Sequence, residues 1–160
     1  MSKVSPGRFT AEVNRDFVVF IIGMRVNKWW LPHKWLPVAT AMPRMLIKLG
    51  KDRSLGMLGA ESFFRFFPLT TTLISYWKSF EDLERFATDR SLPHAAAWAD
   101  FMKSIGSTGT VGIYHETYKV KRGDFECVYA NMPKFGLAAA FNLVPIQKAK
   151  DSARSRISEA

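Results

Sequence analysis

Residues 109–120 place a histidine next to a carboxylate, and both side-chain types can act as general acids or bases. The alternation of residues predicts a strand in which His115 shares one face with Val111 and Ile113. A histidine among aliphatic neighbours is expected to face away from bulk water. Glu116 faces the opposite side of the strand, so the two side chains cannot form one acid–base pair. The segment therefore predicts a candidate site without defining its reaction.

A second histidine, His94, heads a helical stripe of apolar residues. Trp98 and three further apolar side chains recur behind it at helical spacing, and Gly106 ends the pattern. A histidine in this position serves either as a packed or capping residue, or as a haem-iron ligand or general base presented from a helix. The spacing leaves both interpretations open.

A third candidate is a pair of polar residues at the end of an apolar segment. Residues 17–26 predict a strand with apolar side chains on both faces as far as Ile22, so both faces are expected to be covered. Arg25 and Asn27 follow on one of these faces. Both residues could bind a polar ligand at the rim of an apolar cavity. Alternatively, Arg25 is an ordinary arginine at a strand end, exposed to solvent.

Composition limits the classes of protein that these candidates fit. The 160 residues are sufficient for one domain with a core, and the net charge is +9. The basic residues are scattered singly and no nucleic-acid-binding motif accompanies them, so a solvated basic surface is favoured over a nucleic-acid partner. Part of the charge could instead meet an acidic cofactor or substrate, such as haem propionates.

Cysteine usage and hydropathy bear on the compartment. Cys127 is the single cysteine, so no intramolecular disulfide forms, which suits a reducing compartment. The longest apolar run, 17–22, is far shorter than the roughly 20 residues of a membrane-spanning helix. Three widely separated histidines and one cysteine give no zinc-ligand motif. We expect a cytoplasmic protein with no membrane span and no metal site of this kind.

The elements that must position the candidates follow from hydrophobic periodicity and turn signals. In chain order these signals predict a strand over 17–26, a helix over 37–49, strands over 55–66 and 70–77, a helix from the capping box at Ser79, a helix over 94–105, a strand over 109–120 and a short strand over 125–130. This order is the ferredoxin-like split βαβ arrangement (βαββαβ) of the α+β class.

Helices on one face of such a sheet leave the other face to be hidden, because strand 17–26 is apolar on both sides. A second copy packed sheet to sheet would hide it and enclose a pocket, which predicts a homodimer of the dimeric α/β barrel type. Residues 16–145 form this domain. Residues 1–15 are expected to be an N-terminal arm and residues 146–160 a mobile tail, since both are poor in apolar side chains.

Several strings resemble one family. They are FIIGMRVN at 20–27, MPRM at 42–45, YWKSFEDLERFA at 76–87, His94 with its following Trp98, VGIYHETY at 111–118 and NMPKFG at 131–136. Together they resemble the small monooxygenase-like proteins of the dimeric α/β barrel group, such as the fumagillin-pathway monooxygenase. That group also contains antibiotic-biosynthesis monooxygenases and, more distantly, haem-containing aldoxime dehydratases. The resemblance covers roughly residues 15–140.

The resemblance implies roles for individual residues. His94 is similar to the helical histidine that ligates iron in haem-degrading members. Trp77, Tyr76 and Asn27 are similar to the side chains with which cofactor-free oxygenases hold an aromatic substrate. These roles are what the resemblance leads us to expect, because a shared fold does not by itself fix the chemistry.

Three functions are compatible with these residues. The first is a monooxygenase-like oxidoreductase acting on a small hydrophobic or aromatic molecule in the barrel pocket, without a cofactor. The second is a haem enzyme, either an oxygenase or an aldoxime-dehydratase-like lyase, with His94 or His115 on the iron. The third is a non-catalytic dimer that binds a small ligand. The candidate residues are His115, His94, Glu116 and Trp77 for catalysis, and Arg25, Asn27, Tyr76, Tyr118 and Trp98 for substrate binding.

Overall fold

A computed structural model describes residues 3–37, 39–40, 55–89 and 107–157. Residues 32–37 and 39–40 are helical. The strands are β1 (Ser5–Glu12), β2 (Phe17–Val26), β3 (Met57–Arg65), β4 (Thr70–Trp77), β5 (Val111–Val120), β6 (Tyr129–Met132) and β7 (Asn142–Pro145). The helices are α1 (Phe80–Thr88), α2 (Leu137–Ala140) and α3 (Ala153–Arg156), and Lys148–Lys150 form a 3-10 turn.

The larger sheet has the strand order β3-β4-β2-β5, and each neighbouring pair is antiparallel. The apolar strand β2 is therefore paired along both edges. In its central register Ile21 stands opposite Ile74 on one side and Glu116 on the other. This is the strand order of the split βαβ arrangement, which confirms the predicted α+β, ferredoxin-like fold.

Local sequence signals position the elements next to this sheet. β2 and β4 have the predicted bounds, and β3 lies within the predicted strand 55–66. Ser79 caps α1 as predicted, because its side chain accepts a hydrogen bond from the Asp82 backbone N–H at 3.1 Å. Most of the predicted helix 37–49, and all of helix 94–105, lie outside the described residues.

One face of the larger sheet is packed against α1. Leu83 and Phe86, three positions apart on that helix, join Val18 and Trp77 in a buried cluster. A second cluster on the same side holds Met24, Val26 and Val111 near the opposite end of β2. We call this side the helix face.

A second sheet, with the order β6-β1-β7, corrects the prediction of an N-terminal arm over residues 1–15. Thr10 pairs with Val144 and Arg8 with Ala130, so β1 is the central strand of three. The prediction was wrong because backbone pairing requires few apolar side chains, and the partner strands lie more than a hundred residues further along the chain. β6 begins later than the short strand predicted over 125–130.

The second sheet and α2 cover one end of the larger sheet on the side away from α1. Ala11, Leu137 and Ala138 are buried there together with Phe17, and Val19 and Tyr76 pack against them. Part of the surface assigned to a second copy is thus covered by the chain itself. The dimer remains a prediction, since a single chain is described.

The segment expected to be a mobile tail also has defined structure. Residues 148–150 and 153–156 form helical turns. The Arg156 side chain, 7% exposed, forms an ion pair with Glu126. Within the described ranges, no helix combines the length and the hydropathy needed to cross a bilayer.

Candidate functional site

The alternation of the strands divides the predicted residues between two faces of the larger sheet. Partners in an antiparallel ladder share a face, so His115, opposite Ile22, and Trp77, opposite Val18, both lie on the helix face. The opposite side, which we call the open face, carries the remaining candidates of this sheet, namely Arg25, Tyr76, Glu116 and Tyr118. His94 and Trp98 lie outside the described residues.

His115 is exposed although its strand neighbours are apolar. Its ring lies 5.9 Å from the Phe20 ring, centroid to centroid. The expectation that it faces away from water was wrong for two reasons. β5 is an edge strand of the sheet in the described part of the chain. α1 packs over Val18 and Trp77 and meets β5 at Lys119, four positions from His115.

Trp77 is a core residue with 1% exposure. Its indole N–H donates to Ser75 Oγ at 2.9 Å, and that hydroxyl donates to the Phe20 carbonyl at 3.0 Å. Its ring lies 5.3 Å from the Phe86 ring. The predicted role of Trp77 in catalysis or in holding a substrate is therefore not supported by its position, since its N–H is already engaged inside the core.

The centre of the open face combines a glycine in β2 with an aromatic ring from β5. A Cβ atom on Gly23 would lie 2.5 Å from Tyr114 Cε1, so the tyrosine ring lies directly across the glycine. The Tyr114 hydroxyl reaches β4, where it is 2.7 Å from Thr72 Oγ1. Tyr114 thus crosses β2. Its ring lies on the same face as Ile21 and Ile74, and we call the surface made by these three side chains the floor of the open face.

A carboxylate follows Tyr114 on the same face. Glu116 Oε2 accepts a hydrogen bond from the Tyr118 hydroxyl at 2.6 Å. This bond, reinforced by the negative charge, raises the pKa of Tyr118, because loss of the phenol proton would break the bond and place two anions together. Glu116 is exposed and is a suitable acceptor for a proton.

The covered end of the open face holds two half-buried tyrosines. Burial raises the pKa of Tyr76, with the negative charge of Glu61 as the next cause. Burial likewise raises the pKa of Tyr129, whose hydroxyl accepts a hydrogen bond from the Ala138 N–H at 3.3 Å. Both phenols therefore stay protonated at neutral pH and are neutral hydrogen-bonding groups.

The opposite end of the open face is basic. Arg25 is exposed and stands opposite Thr70 and Gly112 in the ladder. Two positions along β2 separate it from Gly23, which corresponds to about 7 Å between the Cα atoms. Asn27, predicted to bind substrate, donates from its amide to the Gly109 carbonyl at 3.2 Å and so fixes the turn before β5.

Sequence reasoning missed three residues of this face. Tyr114 lies on the same face as Glu116, as alternation along the strand predicts, but no motif singles it out as a site residue. Glu61 accepts a hydrogen bond from the Gly136 N–H at 3.0 Å, and the ring of Phe63 meets that of Phe135 at 6.2 Å. Alternation along β3 places Glu61 and Phe63 on one face of that strand. No pattern in the sequence links them to Phe135 and Gly136, which lie in a loop more than 70 residues away.

The geometry defines an α+β protein whose sheet presents an aromatic and apolar floor between a carboxylate and a guanidinium. Such a surface suits a small, mainly apolar molecule that carries one acidic or anionic group. His115 does not contribute to the open face, because it lies on the other side of the sheet.

The monooxygenase af470-like family matches residues 17–137, which is most of the chain and includes the whole larger sheet. The chain therefore belongs to this family, as the strings quoted above indicated. Membership supports a monooxygenase-like function in general terms. Among curated proteins, no sequence matches the chain.

Three solved structures to which this chain is similar are an aldoxime dehydratase and two proteins described as oxygenases. An aldoxime dehydratase, OxdRE, in complex with butyraldoxime is 13% identical with a TM-score of 0.60, and the match covers 96% of this chain but 44% of that one. SnoaB, a cofactor-independent oxygenase from Streptomyces nogalater, is 14% identical over 67% of this chain and 95% of its own, with a TM-score of 0.45. A putative antibiotic biosynthesis monooxygenase from Bordetella bronchiseptica is 17% identical over 63% and 95%, with a TM-score of 0.32. The first of these shows a shared fold, and this chain spans less than half of that dehydratase.

Proposed function

We propose that this protein is a monooxygenase-like oxidoreductase that binds a small hydrophobic or aromatic substrate on the open face. The observation that carries the proposal is the Tyr114 ring held across Gly23, between Arg25 and Glu116. Arg25 and Glu116 are separated by four positions of the ladder, which corresponds to about 13 Å between Cα atoms. A fused aromatic ring system spans such a distance when it lies on the floor between them.

The reaction that these groups serve best begins at an acidic C–H group that is conjugated, directly or through an aromatic ring, with a ketone. Glu116 accepts the proton, and the Arg25 guanidinium stabilises the resulting enolate oxygen. An electron-rich enolate can reduce dioxygen itself. Overall, a methylene group and one molecule of dioxygen give a carbonyl group and one molecule of water, so the substrate supplies all four electrons and no external reductant enters.

Anthrone, an aromatic ketone with an acidic methylene group, is a direct probe of this proposal. We expect wild-type protein to consume oxygen with it and to place one atom of 18O2 in the quinone product. Glu116→Gln should lower kcat/KM by about a hundredfold, in the range for loss of a general base. Arg25→Gln should lower it by about tenfold or more through loss of a charged hydrogen bond.

Two matched variants change the same residue types away from the open face, namely Arg15→Gln before β2 and Glu84→Gln on α1. Both residues are exposed, and both variants should retain wild-type kinetics. Wild-type rates in Glu116→Gln and Arg25→Gln would overturn the assignment of the open face. Binding of anthrone without oxygen consumption would favour the non-catalytic ligand-binding alternative.

Haem is the second candidate, and one observation favours it. His115 is exposed on the helix face beside Phe20, and Lys119, further along β5 on that face, lies 5.6 Å from the Phe80 ring. An imidazole on an apolar surface with a nearby ammonium group fits an axial ligand and a propionate partner. Bound haem would supply the redox-active iron that the side chains lack.

Titration with haemin distinguishes this candidate. A Soret band that saturates at one equivalent and is lost in His115→Ala would support it, with His94→Ala as the parallel variant. A spectrum equal to that of free haemin would exclude it.

We also propose that a second copy completes the site. Phe63, Tyr114 and Tyr118 are 45%, 39% and 51% exposed on the open face of the single chain. Sheet-to-sheet packing would cover this surface and make the dimeric α/β barrel. Sedimentation should show twice the 18.2 kDa chain mass, and a single-chain particle at every concentration would overturn the dimer.

A further inference from the structure

Two separate loops meet at one end of the larger sheet. The Val26 N–H donates to the Leu69 carbonyl at 2.8 Å, which joins the end of β2 to the turn between β3 and β4. Trp35 and Leu69 both pack against the cluster of Met24 and Val26. Residues 27–36 and 66–69 therefore lie side by side, and we call their combined surface the aromatic end.

The aromatic end exposes large rings to solvent. Trp29 and Trp30 are 65% and 58% exposed, and Phe66 and Phe67 at the hairpin tip are 84% and 81% exposed. Leu36 is 51% exposed on the same loop as the tryptophans. Single exposed apolar residues are ordinary, but four aromatic rings on two adjoining loops mark an interaction surface.

Among the described residues, the charges around these rings are all of one sign. Lys28 and Lys34 lie on the tryptophan loop, and Arg25 and Arg65 end the two strands that lead to the aromatic end. In the described part of the chain, the aromatic end and the strand ends and turn beside it (residues 25–37, 62–72 and 107–113) contain no aspartate or glutamate. The partner of this surface is therefore expected to be both apolar and anionic.

We propose that the aromatic end docks on an anionic membrane surface. Tryptophan and phenylalanine rings insert at the boundary between head groups and acyl chains, and each lysine or arginine near anionic lipid strengthens binding about fivefold. A second copy of this chain is a poor occupant, because two such ends would bring like charges together. Nucleic acid is also disfavoured, since no nucleic-acid-binding motif accompanies the basic residues. The inference is independent of the chemistry proposed for the open face.

Flotation with lipid vesicles tests the proposal on the full-length wild-type protein. Vesicles of phosphatidylcholine with about 30% phosphatidylglycerol should bind it at least tenfold more strongly than vesicles of phosphatidylcholine alone. Binding should weaken at about 0.5 M NaCl, because salt screens the lysine and arginine contribution. Tryptophan emission should shift to the blue on binding, since Trp29 and Trp30 leave water.

Two double variants remove the rings of each loop, Trp29→Ser with Trp30→Ser and Phe66→Ser with Phe67→Ser. A third, Lys28→Glu with Lys34→Glu, reverses the charge. Each should lower the vesicle partition coefficient more than tenfold. The side chains are exposed to solvent or half-exposed, so circular dichroism and Tm should show that the variants remain folded.

Matched changes elsewhere serve as controls. Lys148→Glu with Lys150→Glu alters two exposed lysines of the 3-10 turn, and Ile157→Ser removes an apolar side chain that is 44% exposed. Both should bind vesicles as wild type does. The proposal is overturned if wild type does not float with anionic vesicles, or if the controls lose binding equally. It is also overturned if the ring variants change the sedimenting mass, or binding to a single-stranded oligonucleotide, while vesicle binding is retained.

Discussion

The two faces of the larger sheet are made by the same strands yet have opposite characters. On the helix face Val18, Leu73 and Trp77 are 3%, 4% and 1% exposed, whereas on the open face Tyr114 and Tyr118 are 39% and 51% exposed. Side chains alternate between the two faces with equal regularity along these strands. The difference arises from what packs on each side, since α1 fills the helix face around Trp77. Buried side chains there stabilise the fold, and polar and aromatic groups on the other side remain accessible to a ligand.

The open face itself is divided. Tyr76 and Tyr118 flank Val19 in the same register, but Tyr76 is half-buried beneath α2 and the second sheet while Tyr118 is exposed. The second sheet and α2 thus cover one end of the open face, and the rest of the face stays exposed to solvent. A ligand site is expected at the boundary, where apolar floor and solvent access occur together.

The largest expected effect concerns the helix face. Trp77→Ala should lower the free energy of unfolding by about 3–5 kcal/mol, because it removes a fully buried ring that packs on Phe86. Tyr118→Ala, the matched truncation on the open face, should lower it by about 1 kcal/mol or less. Urea denaturation monitored by circular dichroism measures both. Similar losses in the two variants would mean that the faces do not differ in their contribution to stability.

An intermediate effect is expected from two glycines that share the open face. Gly23→Ala would place a Cβ 2.5 Å from Tyr114 Cε1 and 2.7 Å from the Thr71 carbonyl oxygen. The ring can move but the backbone cannot, so we expect a loss of about 1–3 kcal/mol in the free energy of unfolding. At Gly112 the nearest atom would be Asn27 Nδ2 at 3.6 Å, an ordinary contact, and Gly112→Ala should have little effect. If thermal unfolding ranks the two variants in the reverse order, Tyr114 does not lie across Gly23.

The smallest expected effect concerns Tyr76 at the covered end of the open face. It is a change in how the free energy of unfolding depends on pH in the alkaline range. Burial raises the pKa of Tyr76 above its ordinary value of 10.0, so the folded state keeps the phenol proton when the unfolded state loses it. This stability is fully present below about pH 10 and is lost as the pH rises through the folded-state pKa. Tyr76→Phe should therefore show a shallower decline of the free energy of unfolding above about pH 10. A decline equal to that of wild type would indicate that Tyr76 is not buried when the protein is folded.

Much of the fold follows from local signals. Ser79 begins α1 because its side chain caps the first turn, and β4 has its predicted bounds because a run of β-forming residues is limited by Pro68 and by that cap. The strings around Gly23 and Glu116 also indicated the family that the comparison confirmed.

The candidate site was only partly accessible to the same reasoning. The pairing of β4 and β5 with β2, rather than alternation, places Trp77 with His115 and Arg25 with Glu116. Alternation correctly placed His115 and Glu116 on opposite faces of β5. It could not show that Trp77 is enclosed by α1 or that His115 is exposed. Those outcomes depend on which element packs over each strand, and a period of two residues carries no such information.

By itself, then, the sequence determined the strands of the larger sheet, the alternation of side chains along each of them and the family to which the chain belongs, because these depend on neighbours a few positions apart. The tertiary structure alone decided that Ser5–Glu12 forms a central strand, that Tyr114 crosses Gly23 and that two aromatic loops adjoin. Each of these unites segments that are far apart along the chain. Such contacts are selected by the packing of the whole chain, and local periodicity does not specify them.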